Sequence, residues 1–105
     1  MIKWCERLYM DEEVGKKPDK WKRKVEQGKL TLDLYCVCAA SNPDNLFDII
    51  GCNELLFRYY KSRELIVLGL AKSQYGAELL VQEMVEDMLK ALGTLDVKEY
   101  FGLDR

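Results

Sequence analysis

The chain has 105 residues, of which 49% are hydrophobic and 32% are charged. This composition is typical of a globular protein and excludes a disordered chain, and the length predicts a single domain over residues 1–105. The 16 basic and 18 acidic residues give a net charge of -2, so we expect no overall attraction to nucleic acid or to an anionic membrane.

The N-terminal residues carry charges at Lys3, Glu6 and Arg7, where a signal peptide needs an apolar stretch. No apolar run approaches the roughly 18 residues of a membrane-spanning helix. We therefore expect a cytoplasmic protein that has no membrane partner.

The sequence contains no histidine and four cysteines, which are Cys5, Cys36, Cys38 and Cys52. The missing histidine removes the commonest general base and the commonest metal ligand, so we expect no catalytic residue, cofactor or metal. In a reducing compartment the cysteines are predicted to be free thiols that fill the core. The alternative is a four-thiolate zinc site, although Cys5 and Cys52 lack the usual paired spacing.

The N-terminal part of the chain predicts a short strand followed by a polar helix. Loose alternation of apolar residues favours an edge strand within residues 1–10, and residues 11–15 have the composition of a turn. Pro18 suits the first turn of a helix, and Gly28 can end that helix.

Two longer apolar segments predict the buried strands of an α/β domain. Residues 30–40 begin with strict alternation and then become apolar on both faces, whereas residues 64–71 form a continuous apolar run. The apolar residues between them predict helical turns over residues 43–50 and 54–60. A connection of this length can form a crossover, so we predict two parallel strands in a β-α-β core.

A long helix and a terminal helical turn are predicted after the second core strand. Residues 77–92 place apolar side chains on one broad face, and Gly93 suits the end of the helix. Asp96 and Glu99 have the spacing of a capping box, which indicates a last helical turn. The predicted fold is a small single-domain α/β sheet, in which two strands alone are too few for stability.

Polar residues follow both predicted core strands. If the strands are parallel, their carboxyl ends share one edge of the sheet, where ligands bind in open α/β sheets. The candidate ligand-binding residues at this edge are Ser41, Asn42, Lys72, Ser73 and Gln74. They would serve a small molecule or a phosphate anion. The alternative is that they only cap and turn the chain, since neither loop has a glycine-rich phosphate-binding motif.

A basic segment surrounds Trp21, with Lys20 and Lys22 next to it in the chain and further lysines on both sides. Such a combination can meet phosphates and stack a base. A polar helix face with one aromatic residue directed to the core explains the same pattern, and Asp19 and Glu26 dilute the charge. We favour this structural interpretation and expect no nucleic-acid partner.

The apolar residues exceed what one small sheet can cover. The segment between the core strands is apolar around most of its predicted helical circumference, and the long helix carries one apolar residue away from its buried face. The candidate interface residues are Phe47, Leu55, Leu56, Phe57, Tyr60 and Leu79. They predict a homodimer or a protein partner, unless the two ends of the chain cover them.

The segment Ala-Ala-Ser-Asn-Pro-Asp-Asn-Leu-Phe-Asp-Ile-Ile at residues 39–50 is followed by Glu-Leu-Leu at residues 54–56, Tyr-Tyr at residues 59–60 and Gly-Leu-Ala-Lys at residues 69–72. Over residues 30–101 the chain resembles a group of short uncharacterised bacterial proteins. The resemblance implies a bacterial cytosolic protein and brings no activity or site residue. The patterns favour a non-enzymatic interaction module that self-associates. The alternative hypothesis is a domain that binds a small molecule or a phosphate anion.

Overall fold

The computed structural model describes residues 2–27, 33–42, 44–56 and 64–103. These ranges form a mixed four-stranded sheet with helices on both faces. The strands are β1 (Ile2–Met10), β2 (Tyr35–Ala39), β3 (Phe47–Gly51) and β4 (Leu65–Ala71). The helices are α1 (Glu12–Lys16), α2 (Pro18–Glu26), a 3₁₀ helix (Cys52–Leu56), α3 (Gln74–Leu92) and α4 (Val97–Phe101). Among the described residues, no helix combines the length and apolarity needed to cross a bilayer.

The strands lie in the order β1-β4-β2-β3. β1 pairs with β4 in parallel, which confirms the edge strand predicted within residues 1–10. Both predicted core strands are present as β2 and β4, although β2 begins at Tyr35 and residues 30–32 lie outside the described ranges. The α/β class of the prediction is therefore confirmed.

The predicted parallel pairing of the two core strands is wrong. β2 runs antiparallel to β4, with Tyr35 opposite Ala71 and Cys38 opposite Val67. The parallel neighbour of β4 is the N-terminal strand β1. As a result, the carboxyl end of β2 lies at the opposite end of the sheet from the carboxyl end of β4.

The error arises from the helical turn predicted over residues 43–50, because the structure has strand β3 at Phe47–Gly51. Apolar residues at positions 46, 47, 49 and 50 fit a helical face, but they equally fit a strand that is covered on both sides. β3 returns beside β2 as the second strand of a hairpin. The helix predicted over residues 54–60 is a 3₁₀ helix at Cys52–Leu56, and residues 57–60 lie outside the described ranges.

Apolar layers cover both faces of the sheet. On one face, α3 and α4 contribute to a core that includes Val37, Leu68, Leu80, Met84 and Phe101. On the other face, α1 and α2 cover a core that includes Val14, Val25, Cys36, Val67 and Leu70. Trp4 and Trp21 are partly buried against this second core. Trp4 on β1 and Trp21 on α2 therefore extend this core.

Capping residues define the helix ends close to the predicted positions. The helix predicted over residues 77–92 is confirmed as α3, which begins at Gln74 because the Ser73 hydroxyl accepts a hydrogen bond from the Gly76 N–H at 2.9 Å. Gly93 ends α3 with a left-handed φ of 72°. Asp96 accepts a hydrogen bond from the Glu99 N–H at 3.1 Å, so the predicted last helical turn is also confirmed.

Candidate anion-binding site around Trp21

The two loops that were predicted to converge lie at opposite ends of the sheet. Because β2 is antiparallel to β4, Ser41 and Asn42 follow the end of β2 that lies near the beginning of β4. Lys72, Ser73 and Gln74 follow the other end of β4. A single site that combines both sets of residues is therefore excluded by the topology, and each loop has to be considered alone.

Ser41 and Asn42 make local contacts that stabilise the turn between β2 and β3. The Asn42 side-chain oxygen accepts a hydrogen bond from the Asp44 N–H at 2.9 Å. The backbone N–H and the hydroxyl of Ser41 both donate to Asp48, at 3.1 and 3.3 Å. These contacts are the turn chemistry that was the alternative interpretation of both residues.

Lys72 lies where the parallel strands β1 and β4 end side by side. Asp11, the residue after β1, accepts a hydrogen bond from the Lys72 N–H at 2.8 Å through one carboxylate oxygen. Its other oxygen accepts from the Val14 N–H at 2.8 Å and caps α1. Asp11 was not among the predicted site residues, and the predicted turn over residues 11–15 is the short helix α1 that it caps. Its position between a strand and an acidic helical turn is the sequence signal that could have identified it.

Ser73 and Gln74 form the start of α3 beside Lys72. The Ser73 hydroxyl caps the helix, which is its structural role as described above. Gln74 is the first residue of the helix and its side chain is exposed. Of the three predicted residues in this loop, Lys72 is the one whose side chain reaches across the fold.

The Lys72 side chain meets the basic segment around Trp21. Its ammonium nitrogen lies 4.2 Å from the centroid of the Trp21 ring. The ammonium nitrogens of Lys20 and Lys24, both on α2, lie 4.8 and 5.1 Å from the same centroid. We call these four residues the Trp21 cluster. The negative π-face of the indole attracts each cation, which explains why all three side chains fold toward one ring.

The cluster concentrates positive charge in a small volume. The three nitrogens are less than about 10 Å from one another because they share one ring, and this distance is the Debye length at about 0.1 M salt. Within the described part of the chain, no carboxylate forms an ion pair with any of the three. Lys24 and Lys72 are partly buried, which reduces the screening of their charges by solvent. The site therefore gathers three ammonium groups that an anion can neutralise.

Trp4, on β1, provides a contrast beside the same helix. The Lys22 ammonium lies 5.5 Å from the Trp4 ring centroid, and the Trp4 indole N–H donates to the Glu26 carboxylate at 2.7 Å. This second tryptophan thus has one cation and one anion beside it. Lys22 is for that reason a matched control for the lysines of the Trp21 cluster.

The buried thiols form part of the core. The Cys36 and Cys52 sulfurs lie 3.1 Å apart, and this hydrogen bond, together with burial, raises the pKa of the Cys36 thiol well above its usual value. Burial raises the pKa of the Cys38 thiol to about 12. Cys5 packs with the core on the other face of the sheet, so the four thiols do not gather into one zinc site. Within the described ranges, no group of three or more acidic or thiol side chains is arranged to hold a metal.

A second polar cluster joins β1 to the two C-terminal helices. The Tyr9 hydroxyl donates to Asp87 at 2.6 Å and lies 2.7 Å from the Tyr100 hydroxyl. Burial, followed by the hydrogen bond to Asp87, raises the pKa of Tyr9 far above its usual value. These contacts connect three elements, and the protonated phenol is a structural donor in this arrangement.

The predicted interface residues are only partly within the described ranges. Phe47 lies on β3 and is half-buried, whereas Leu79 is 46% exposed on α3, as predicted. Leu55 and Leu56 belong to the 3₁₀ helix, but their side chains lie outside the description, as do residues Phe57 and Tyr60. Their role in an interface stays a prediction.

Comparison with known proteins found no relative of this chain. The chain matches no protein-family model, no curated protein and no solved structure. Function is therefore inferred from the contacts and charges of the chain itself.

Proposed function

We propose that the protein is a non-enzymatic, cytoplasmic binding module that holds a small phosphate-bearing anion at the Trp21 cluster. The observation that carries this proposal is the gathering of three lysine ammonium groups around one indole ring. Their position at the carboxyl ends of the parallel strands β1 and β4 supports it, because ligands of α/β sheets bind at such ends.

Electrostatics favour an anion that carries more than one charge. Three like charges within about 10 Å repel one another, and an ammonium and a unit anion at about 4 Å attract by roughly 1 kcal/mol in water and by more where solvent is reduced. A multiply charged phosphate would interact with several ammonium groups at once and remove their repulsion. Lysine suits this task because it binds phosphate as a mobile point charge.

The chemistry of the remaining side chains favours binding without catalysis. The chain has no histidine, and the raised pKa values of Cys36 and Cys38 keep these buried thiols in the form that is not nucleophilic. Neither thiol is part of the Trp21 cluster. A binding module therefore explains the Trp21 cluster without requiring a nucleophile or a general base, which an enzyme would need.

Isothermal titration calorimetry at low salt tests the proposal with phosphate, pyrophosphate, AMP, ATP and a short oligothymidylate as probes. Pyrophosphate and ATP are expected to bind more tightly than phosphate because they carry more charge. Lys72→Ala should weaken pyrophosphate binding by about tenfold, the effect of losing roughly 1.4 kcal/mol of attraction. Lys22→Ala, the matched control beside Trp4, should leave the affinity within about twofold, because its ammonium lies over a different ring from that of the Trp21 cluster.

The proposal is wrong if none of the phosphate probes binds, or if Lys22→Ala weakens binding as much as Lys72→Ala does. A markedly tighter complex with oligothymidylate than with ATP would also overturn it, because the partner would then be a single-stranded nucleic acid. Raising the salt concentration should weaken each genuine complex, since screening acts on the same charges.

Self-association is the second proposed activity. The specific observation in its favour is the outer edge of β3, which pairs with no strand of the described residues. This edge lies on the opposite side of the sheet from β1. Self-association through it therefore does not depend on the Trp21 cluster.

A further inference from the structure

The two edge strands of the sheet differ in how they are protected from pairing with another chain. β1 carries the charged residues Lys3, Glu6 and Arg7, and its pairing with β4 is irregular between Trp4 and Tyr9. Charges and bulges on an edge strand prevent further pairing. β3 has the sequence Phe-Asp-Ile-Ile-Gly, with no lysine, proline or bulge. Of the two edges formed by the described residues, β3 is therefore the one that can accept another strand.

The hydrogen-bond pattern shows which groups of β3 face outward. The Cys52 N–H donates to the Leu34 carbonyl at 2.8 Å, and the same register continues along β2 and β3. In an antiparallel pair the bonded residues alternate, so Ile50 and Asp48 bond to β2. The backbone groups of Phe47, Ile49 and Gly51 consequently point away from the sheet.

We propose that β3 pairs antiparallel with β3 of a second copy of the chain, centred on Ile49. In this two-fold arrangement the N–H and carbonyl of each Ile49 bond to those of Ile49 of the second copy. Phe47 lies opposite Gly51 of the second copy, and Gly51 opposite its Phe47. The two four-stranded sheets become one continuous sheet, and the outward groups of β3 are all paired.

Charge is compatible with a second copy in this register. The Ile49 register sets Asp48 against Ile50 of the second copy, so that the two Asp48 carboxylates do not lie directly opposite each other, which would be destabilising. Gly51 has no side chain, and the ring of Tyr35 lies beside it, since a Cβ added there would be 3.7 Å from that ring. The opposing Phe47 would extend this aromatic cover over the glycine.

One contact within the chain competes with the proposed pairing. The Glu54 carboxylate accepts a hydrogen bond from the outward N–H of Gly51 at 3.2 Å. The second copy would have to displace this side chain to bond Phe47 to Gly51. Removing the carboxylate should therefore strengthen the dimer.

Amide hydrogen exchange of the wild-type protein at several concentrations tests the register directly. The amides of Asp48 and Ile50 bond to β2 and should be protected at every concentration. The amides of Phe47 and Ile49 should exchange quickly when dilute and slowly when concentrated. Exchange of Phe47 and Ile49 that is independent of concentration, whether fast or slow, would overturn the proposal, because the edge would then be free or covered by the chain's own residues.

Sedimentation of three variants locates the interface. Ile49→Pro removes an outward N–H without removing a bond to β2, so a folded monomer is expected. Glu54→Ala should dimerise at least as tightly as the wild type, and Leu79→Lys, on the outer side of α3, should leave the dimer unchanged. A dimer that persists in Ile49→Pro would overturn the proposal, and so would a dimer that is lost in Leu79→Lys. We expect all three variants to bind pyrophosphate as the wild type does. This result separates the test of the dimer from the test of the Trp21 cluster.

Discussion

The two ends of the sheet carry similar polar residues but use them differently. Where β2 ends, Ser41 and Asn42 bond only to residues of their own turn and of the adjoining strand β3. Where β1 and β4 end together, Asp11 bonds to the Lys72 N–H, a residue distant in the chain, and the Lys72 side chain reaches Trp21.

This difference shows why one end is the stronger candidate for a ligand. At the β2 end the side chain of Asn42 is satisfied by the Asp44 N–H, and the loop borders a largely apolar cavity of about 660 Å³. At the other end the backbone is fixed by Asp11, while the three ammonium groups of the Trp21 cluster have no carboxylate partner among the described residues. A fixed backbone that presents unneutralised charges is the arrangement expected of a binding site.

The largest effect is expected from Asp11→Ala. It removes the acceptor of two backbone N–H groups, those of Val14 and Lys72, and should lower the free energy of unfolding by about 2 to 3 kcal/mol. Asp96→Ala removes the acceptor for one N–H, that of Glu99, and should cost about 1 kcal/mol. Urea denaturation of both variants measures the difference, and equal losses would show that Asp11 is only a helix cap.

A smaller effect is expected from Tyr9→Phe, near the end of β1. The lost hydrogen bonds to Asp87 and Tyr100 should cost about 1 kcal/mol at neutral pH. Because the folded protein raises the pKa of Tyr9, the wild type should lose this advantage as the pH rises above about 10, the value in the unfolded chain.

Chemical denaturation at several pH values tests this dependence. The free energy of unfolding of the wild type should fall more steeply at alkaline pH than that of Tyr9→Phe. The raised pKa values of Cys36 and Cys38 act in the same direction in both proteins, so the difference between the two curves isolates Tyr9. Parallel curves would contradict the assigned role of its hydroxyl.

The smallest effect is expected from Asn42→Ala at the β2 end. The lost contact is a local one to the exposed Asp44 N–H, so the change in stability should be about 0.5 kcal/mol. Affinity for pyrophosphate should not change, because the residue lies at the opposite end of the sheet from Lys72. Weaker binding by Asn42→Ala would break the distinction between the two ends.

The sequence predicted the elements whose signals are local. The capping residues Ser73 and Asp96 and the glycine at position 93 define α3 and α4, and the apolar run of β4 is continuous. The direction of β2 relative to β4 was not predictable, because residues 46–50 fit both helical and strand periodicity. That error placed Lys72 beside Asn42. The actual neighbour, Trp21, is brought to Lys72 by the packing of α2 on the sheet, which no local pattern encodes.

The fluorescence of Trp21 during a pyrophosphate titration tests the central claim most directly. In Trp4→Phe protein Trp21 is the remaining tryptophan, and neutralising the ammonium groups around its ring should change its emission in a saturable manner. Sodium chloride at equal ionic strength should give a smaller, unsaturable change, and adding Lys72→Ala should shift the titration to about tenfold higher concentration. Emission that does not respond to pyrophosphate, or a titration that Lys72→Ala leaves unchanged, would contradict an anion site at the Trp21 cluster.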